Sequence, residues 1–118
     1  MKKKTLCFDL DNVICFTKKN EYSKSKPKKK VIHLINSLHN QGYVIKILTA
    51  RYMGRTNDSI FKANKLGYKK TYNQLKKWGL RFDKLFLTKP SFDVYIDDKS
   101  FFFKKNWTKD FKKKFLRK

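Results

Sequence analysis

The chain has 118 residues and a formal net charge of +22, from Lys+Arg 31 against Asp+Glu 9. That length supports one core, at about 4–100, and excludes a two-lobed architecture. A hydrophobic content of 40% excludes a disordered chain.

The start, MKKKTLCFDLDNVICF, imitates a signal peptide, but Asp9 and Asp11 interrupt its apolar region and no small-residue cleavage site follows. Thr5 to Leu10 reads instead as a short buried strand, apolar until Asp9 and carrying Cys7. Cys7 and Cys15 make no disulfide framework, and two free thiols suit a reducing cytoplasm. Residues 16–30 lack periodicity and read as a loop, with Pro27 in the first turn of the next helix. Val31, Ile32, Leu34, Ile35 and Leu38 recur at helical spacing, which predicts a helix over about 28–40 that stops at Gly42.

The β-branched run at 43–50 predicts a second strand. After a polar turn, the pattern predicts a helix near 56–66 closed by Gly67, then a short helix from Thr71 to Trp78 stopped by Gly79. Residues 84–88 predict a third strand, and Pro90 punctuates the connection to a fourth over 92–97. Trp107, Phe111 and Phe115 stand at i, i+4 and i+8, which predicts a basic C-terminal helix over about 106–118 whose stripe packs on the domain. No apolar run is long enough to span a membrane.

Strands alternating with helices predict a three-layer Rossmann-like α/β domain with a parallel sheet. Ligands of such sheets bind beyond the carboxyl ends of the strands, where strand order reverses. Asp9, Asp11, Thr49, Asp97 and Asp98 all fall at such ends, so four of the nine acidic residues are expected on one edge. Gathered carboxylates repel one another, and a divalent cation relieves that. Oxygen donors alone suit Mg²⁺; His33 and His39 lie on the first helix, away from the strand ends. Asp9 can attack phosphorus, with Asp11 as general acid and then base. Thr49 can hold a phosphoryl oxygen, and Lys89 can neutralise charge in the transition state. Each of these residues alone is an ordinary feature; their joint order carries the reading.

FDLDNVI, ILTAR, TKP and DVYIDDK resemble the four ordered motifs of the haloacid dehalogenase-like superfamily of phosphohydrolases, over residues 5 to about 99. YSKSKP, TAR, QLKKWG and the KP…YIDDK ending are similar to its small capsule-biosynthesis phosphatases. The resemblance implies a sheet order of 3-2-1-4. It implies Asp9 as nucleophile and Mg²⁺ ligand, and Asp11 as acid/base that also gives its carbonyl to the metal. It further implies Thr49 and Lys89 as the phosphate-binding pair, Asp97 and Asp98 as further metal residues, and Arg51 as a substrate contact. Asn12 stands where the family has Gly, and Asn tolerates positive φ better than other non-Gly residues.

The stretches 14–27 and 52–83 are too short for the family's cap domains, so the site is expected to be open and capless. The resemblance points to a cytoplasmic enzyme acting on a small sugar phosphate, with a neighbouring copy in a homo-oligomer as one way to cover the site. The charge points to nucleic acid, but Lys outnumbers Arg 27 to 4, which fits AT-rich codon bias better than bidentate phosphate recognition. A nucleic-acid-end phosphatase, a non-catalytic RNA-binding module and a phosphotransfer receiver stand as alternatives.

Overall fold

The computed structural model describes residues 4–116; the last two positions of the expected C-terminal helix lie outside them. In chain order the elements are β1 (Thr5–Asp9), β2 (Cys15–Phe16), β3 (Lys26–Pro27), α1 (Lys29–Asn40), β4 (Val44–Leu48), α2 (Ile60–Lys77), β5 (Lys84–Phe86) and α3 (Trp107–Phe115). Single 3₁₀ turns occupy Tyr22–Lys24 and Gly54–Thr56.

β1, β4 and β5 form a parallel sheet with β4 in the centre. Register places Asp9 opposite Leu48, and Leu48 opposite Phe86, so the three carboxyl ends are level. Central β4 buries Ile45 and Ile47 completely. α1 adds Val31, Ile32, Leu34, Ile35 and Leu38 to the same core. It ends where Gly42 adopts φ 97°, a left-handed conformation that glycine takes without a Cβ clash. The aromatic stripe of α3 is core, as expected. Trp107 and Phe111 are buried against Phe8 of β1, with ring centroids 6.4 and 5.8 Å away.

The region 56–78 forms one helix rather than two. It begins late because Asn57 and Asp58 sit at φ 56° and 60°, outside the right-handed helix, and Ser59 then caps Lys62 N–H at 3.2 Å. It runs straight through Gly67, which serves packing: a Cβ there would land inside the Tyr52 ring. Gly79, at φ 77°, is the actual stop. The loop expected over 16–30 contains structure of its own. β2 and β3 pair antiparallel, Cys15 with Pro27, so Pro27 belongs to this ribbon and not to α1.

The expected fourth strand is absent: residues 92–97 form no ladder, and Ile96 is 92% exposed. The Phe92 and Tyr95 rings stack at 5.1 Å, each about as far from the Lys89 ammonium, at 5.2 and 5.0 Å. Extended backbone would carry residues three apart roughly 10 Å along the chain, so this clustering requires a bend. β1 therefore lies at the edge of the sheet, and Cys7, expected in a buried strand, is exposed.

Candidate active site

The chain leaves β1 through a tight turn. Leu10 is fully buried and its carbonyl accepts from Val13 and Ile14 N–H. Asn12 takes φ 66°, the left-handed conformation its position demands. Its Oδ1 accepts from Thr17 N–H at 3.2 Å, and its carbonyl accepts from Lys28 Nζ at 2.9 Å. Asp9 and Asp11 flank this anchored Leu10, so both carboxylates are held beside a fully buried residue at the end of β1.

Asp9 Oδ1 accepts from Leu10 N–H at 2.8 Å, and Oδ2 lies 3.3 Å from Lys89 Nζ. Lys89 arrives there because its N–H bonds the Thr49 carbonyl at 3.3 Å and its ammonium rests on the two rings described above. Burial pushes the Asp9 carboxyl above the ordinary carboxylate range; Lys89 opposes that shift, and the nearby charge of Asp11 adds to it.

Asp11 sits at the hub of a polar network. Arg51 Nε donates to its two oxygens at 3.1 and 3.0 Å, and Nη2 donates to Oδ1 at 2.8 Å. Thr17 Oγ1 donates to Oδ1 at 2.5 Å, and Thr49 Oγ1 to Oδ2 at 3.5 Å. Arg51 is 2% exposed. Its Nη1 donates to Gln74 Oε1 of α2 at 2.7 Å, and its guanidinium carbon lies 4.8 Å from the centroid of the Tyr22 ring. Gln74 Nε2 in turn donates to the Tyr22 carbonyl at 2.8 Å. A planar fork of donors fits this task, and a lysine would not reproduce it. One arginine thus ties the β1 turn, the segment between β2 and β3, and α2 together.

Asp9, Asp11, Thr49, Lys89 and Asn12 therefore meet at the carboxyl ends of β1 and β4. Arg51, expected to touch substrate, turns its guanidinium inward to Asp11. Asp97 and Asp98 are not gathered with them. Both are exposed, and Asp97 Oδ1 accepts from Lys99 N–H at 3.1 Å in a local turn. Among the described residues no group of three or more His, Cys, Asp or Glu side chains is placed to hold a metal ion. His39 lies apart, 3.5 Å from Asp83. Thr17, Ser25 and Gln74 were not singled out from sequence. The signal for them is indirect: four arginines in a lysine-rich chain make each Arg a candidate for forked recognition, and such an Arg needs acceptors.

Among the described residues no helix is long and apolar enough to cross a membrane. No family model matches the chain, and no curated protein matches it. The solved structures that are similar include the following two. A crystal structure of a structural genomics target from Vibrio cholerae superimposes with TM-score 0.77 at 25% identity, over 97% of this chain and 99% of that one. A chain in the structure of the Pnkp1/Rnl/Hen1 complex superimposes with TM-score 0.56 at 17% identity, over 82% of this chain and 31% of that one. The second likeness is one of fold alone.

Proposed function

We propose that the chain is a capless, haloacid dehalogenase-like, Mg²⁺-dependent phosphomonoesterase of the cytoplasm, acting on a sugar phosphate in polysaccharide or capsule assembly. The observation that carries this reading is the convergence of Asp9, Asp11, Thr49 and Lys89 at one sheet edge, with Lys89 3.3 Å from Asp9. In the first half-reaction an Asp9 carboxylate oxygen attacks phosphorus. The phosphorus–oxygen ester bond breaks, and the leaving alcohol takes a proton from Asp11. Water then attacks the aspartyl-phosphate and gives its proton to Asp11, releasing inorganic phosphate and restoring Asp9. Lys89 and the Thr49 hydroxyl balance charge on the phosphoryl oxygens. The proton steps require Asp11 to free one oxygen from the Arg51 and Thr17 donors, and its side chain, 20% exposed, has the opening to do so.

Mg²⁺ takes one or two protein carboxylates and leaves the remaining positions to water and phosphate. The Asp9 carboxylate fits that demand, and it would hold the ion together with the backbone carbonyl of Asp11, whose own carboxylate is taken up by Arg51, Thr17 and Thr49. Asp97 and Asp98 would join only on moving toward them. When bound, the ion would offset the phosphate's negative charge against the two carboxylates.

The test is phosphate release from sugar phosphates, nucleotides and phosphorylated oligonucleotides, with Mg²⁺, with EDTA, and with Asp9→Asn. Mg²⁺-dependent release that falls at least about 10³-fold in Asp9→Asn is the expected result. A folded, Mg²⁺-loaded protein that releases no phosphate from any of them would overturn it. A second reading, a nucleic-acid-end phosphatase, has one observation in its favour: on α2 the Lys65 ammonium lies 6.0 Å from the Phe61 ring and Lys76 lies 5.5 Å from Tyr72, which resembles the cation and ring pattern of single-strand binders. Preference for oligonucleotide ends, with rates that fall steeply in salt, would select it. RNA binding without turnover would instead indicate a binding module.

A further inference from the structure

A cleft of about 480 Å³ opens between the 22–25 turn and the face of α2 that carries Lys70, Asn73 and Lys77. These three positions, at i, i+3 and i+7, fall on one side of the helix. Arg51 forms part of the wall, so the cleft lies just behind the residue that grips Asp11. Among the described residues no carboxylate lines it. The charge of Arg51 is already matched by Asp11, which leaves Lys70 and Lys77 as uncompensated cations. Their side chains, and those of Ser23 and Asn73, make no hydrogen bond or ion pair among the described residues.

One further feature distinguishes this cleft from the lysine-rich surface around it. Trp78, half-buried, supplies an aromatic surface at its wall, beside the Ser23 and Ser25 hydroxyls and the Asn73 amide. Hydroxyls, an amide and an aromatic face together match a sugar ring, which offers polar edges and an apolar face. Two ammonium groups with no acid nearby add nothing for a neutral sugar and favour one that bears an acidic group.

We propose that this cleft binds an acid-bearing sugar, with Lys70 and Lys77 holding the acidic group and Ser23 and Asn73 its hydroxyls. Asp9, Asp11, Thr49 and Lys89 do not line the cleft, so this site goes beyond the phosphatase reading and stands apart from it. The binding itself is measurable without turnover.

The experiment titrates the folded protein with glucuronate, glucose, acetate and a short glucuronate-containing oligosaccharide at about 0.15 M salt, and reads tryptophan fluorescence. Trp78 reports on the cleft, while Trp107 is sealed in the core. Saturable quenching or enhancement is expected with glucuronate and not with glucose or acetate. The double variant Lys70→Gln/Lys77→Gln should weaken it at least tenfold, and Lys62→Gln/Lys65→Gln, equal in charge change but outside the cleft, should leave it within twofold. Tighter binding of the oligosaccharide would make a polymer end the source of the acid; equal binding would make it a small molecule. No saturable signal with either acid-bearing ligand, equal response to glucose, or equal loss in both double variants would overturn the proposal. Failure of phosphate release alongside normal glucuronate binding would sink the phosphatase reading and leave the cleft standing.

Discussion

The turn after β1 and the connection 92–103 carry similar side chains in opposite surroundings. At the first, Asp11 is enclosed by Arg51, Thr17 and Thr49, and Leu10 beside it is fully buried. At the second, Asp97 meets only local backbone and Ser100, while Val94, Ile96 and Phe102 are 73%, 92% and 75% exposed. Proximity in sequence to a strand paired in the sheet accounts for much of the difference. A carboxylate one residue from a sealed leucine inherits the strand's position, whereas one that follows an unpaired segment has no such anchor. Acidic residues become a site only when the backbone beneath them is fixed.

The comparison can be tested most strongly at Arg51. Arg51→Met removes the cation and leaves Asp11 with part of its network unmade. Truncating one side of a buried ion pair costs about 3–5 kcal/mol, and because Asp11 is 20% exposed the lower end, about 3 kcal/mol, is expected. Urea unfolding should show a lower midpoint at unchanged slope. A cost below about 1 kcal/mol would mean that the network does not hold the turn, and the contrast with 92–103 would fail.

Gly67→Ala has a smaller expected effect and probes the same wiring from α2. Helix propensity alone favours Ala over Gly by about 1 kcal/mol. The new methyl, however, enters the Tyr52 ring, and that ring neighbours both Tyr22 and Arg55. Overpacking of this kind costs about 1–3 kcal/mol, so net destabilisation is expected in the same unfolding assay. Stabilisation would show that Tyr52 moves aside freely.

The pH dependence of Asp9 gives a subtler test. Burial raises its carboxyl pKa in the folded chain, so the folded state binds the proton more tightly than the unfolded state. The stabilisation this gives is complete below the unfolded value, about 3.9, and is lost as pH rises through the raised value. Asp9→Asn removes that loss. Its melting temperature should match the parent in acid and exceed it at neutral pH, because the burial effect outweighs the opposing pair with Lys89. A neutral-pH melting temperature below the parent's would show that the Lys89 pair dominates.

The sequence made legible those parts whose pattern is local. β1, β4 and β5, the apolar face of α1 and the Trp107–Phe111–Phe115 stripe all follow from period and propensity. The left-handed Asn12 followed instead from the resemblance, which has Gly at that position. Gly67 misled because a glycine that ends a helix and one that admits a neighbouring ring are identical in sequence. Arg51 was visible as a site residue but not its direction, because Gln74 and Ser25, which receive it, come from elements far apart in the chain. The β2–β3 ribbon has two residues per strand, too few to leave a periodic signal.

The run 92–97 shows the limit of periodicity, and Ile96 gives the test with the smallest expected effect. Phe92, Val94 and Ile96 alternate as a strand should, yet alternation states only which side chains could share a face. A ladder also needs a free edge and a backbone straight enough to reach it. β1 has the edge, but the clustering of Phe92 and Tyr95 on Lys89 bends the segment away from extension. With Ile96 92% exposed, Ile96→Ser should change unfolding free energy by less than about 0.5 kcal/mol, as surface substitutions do. A loss of 2 kcal/mol or more, in the range of buried truncations, would place Ile96 in a packed strand beside β1. Asp97 would then stand near Asp9, and the two regions would belong to one site. The same variant therefore decides whether the exposed connection is separate from the carboxylate turn or a part of it.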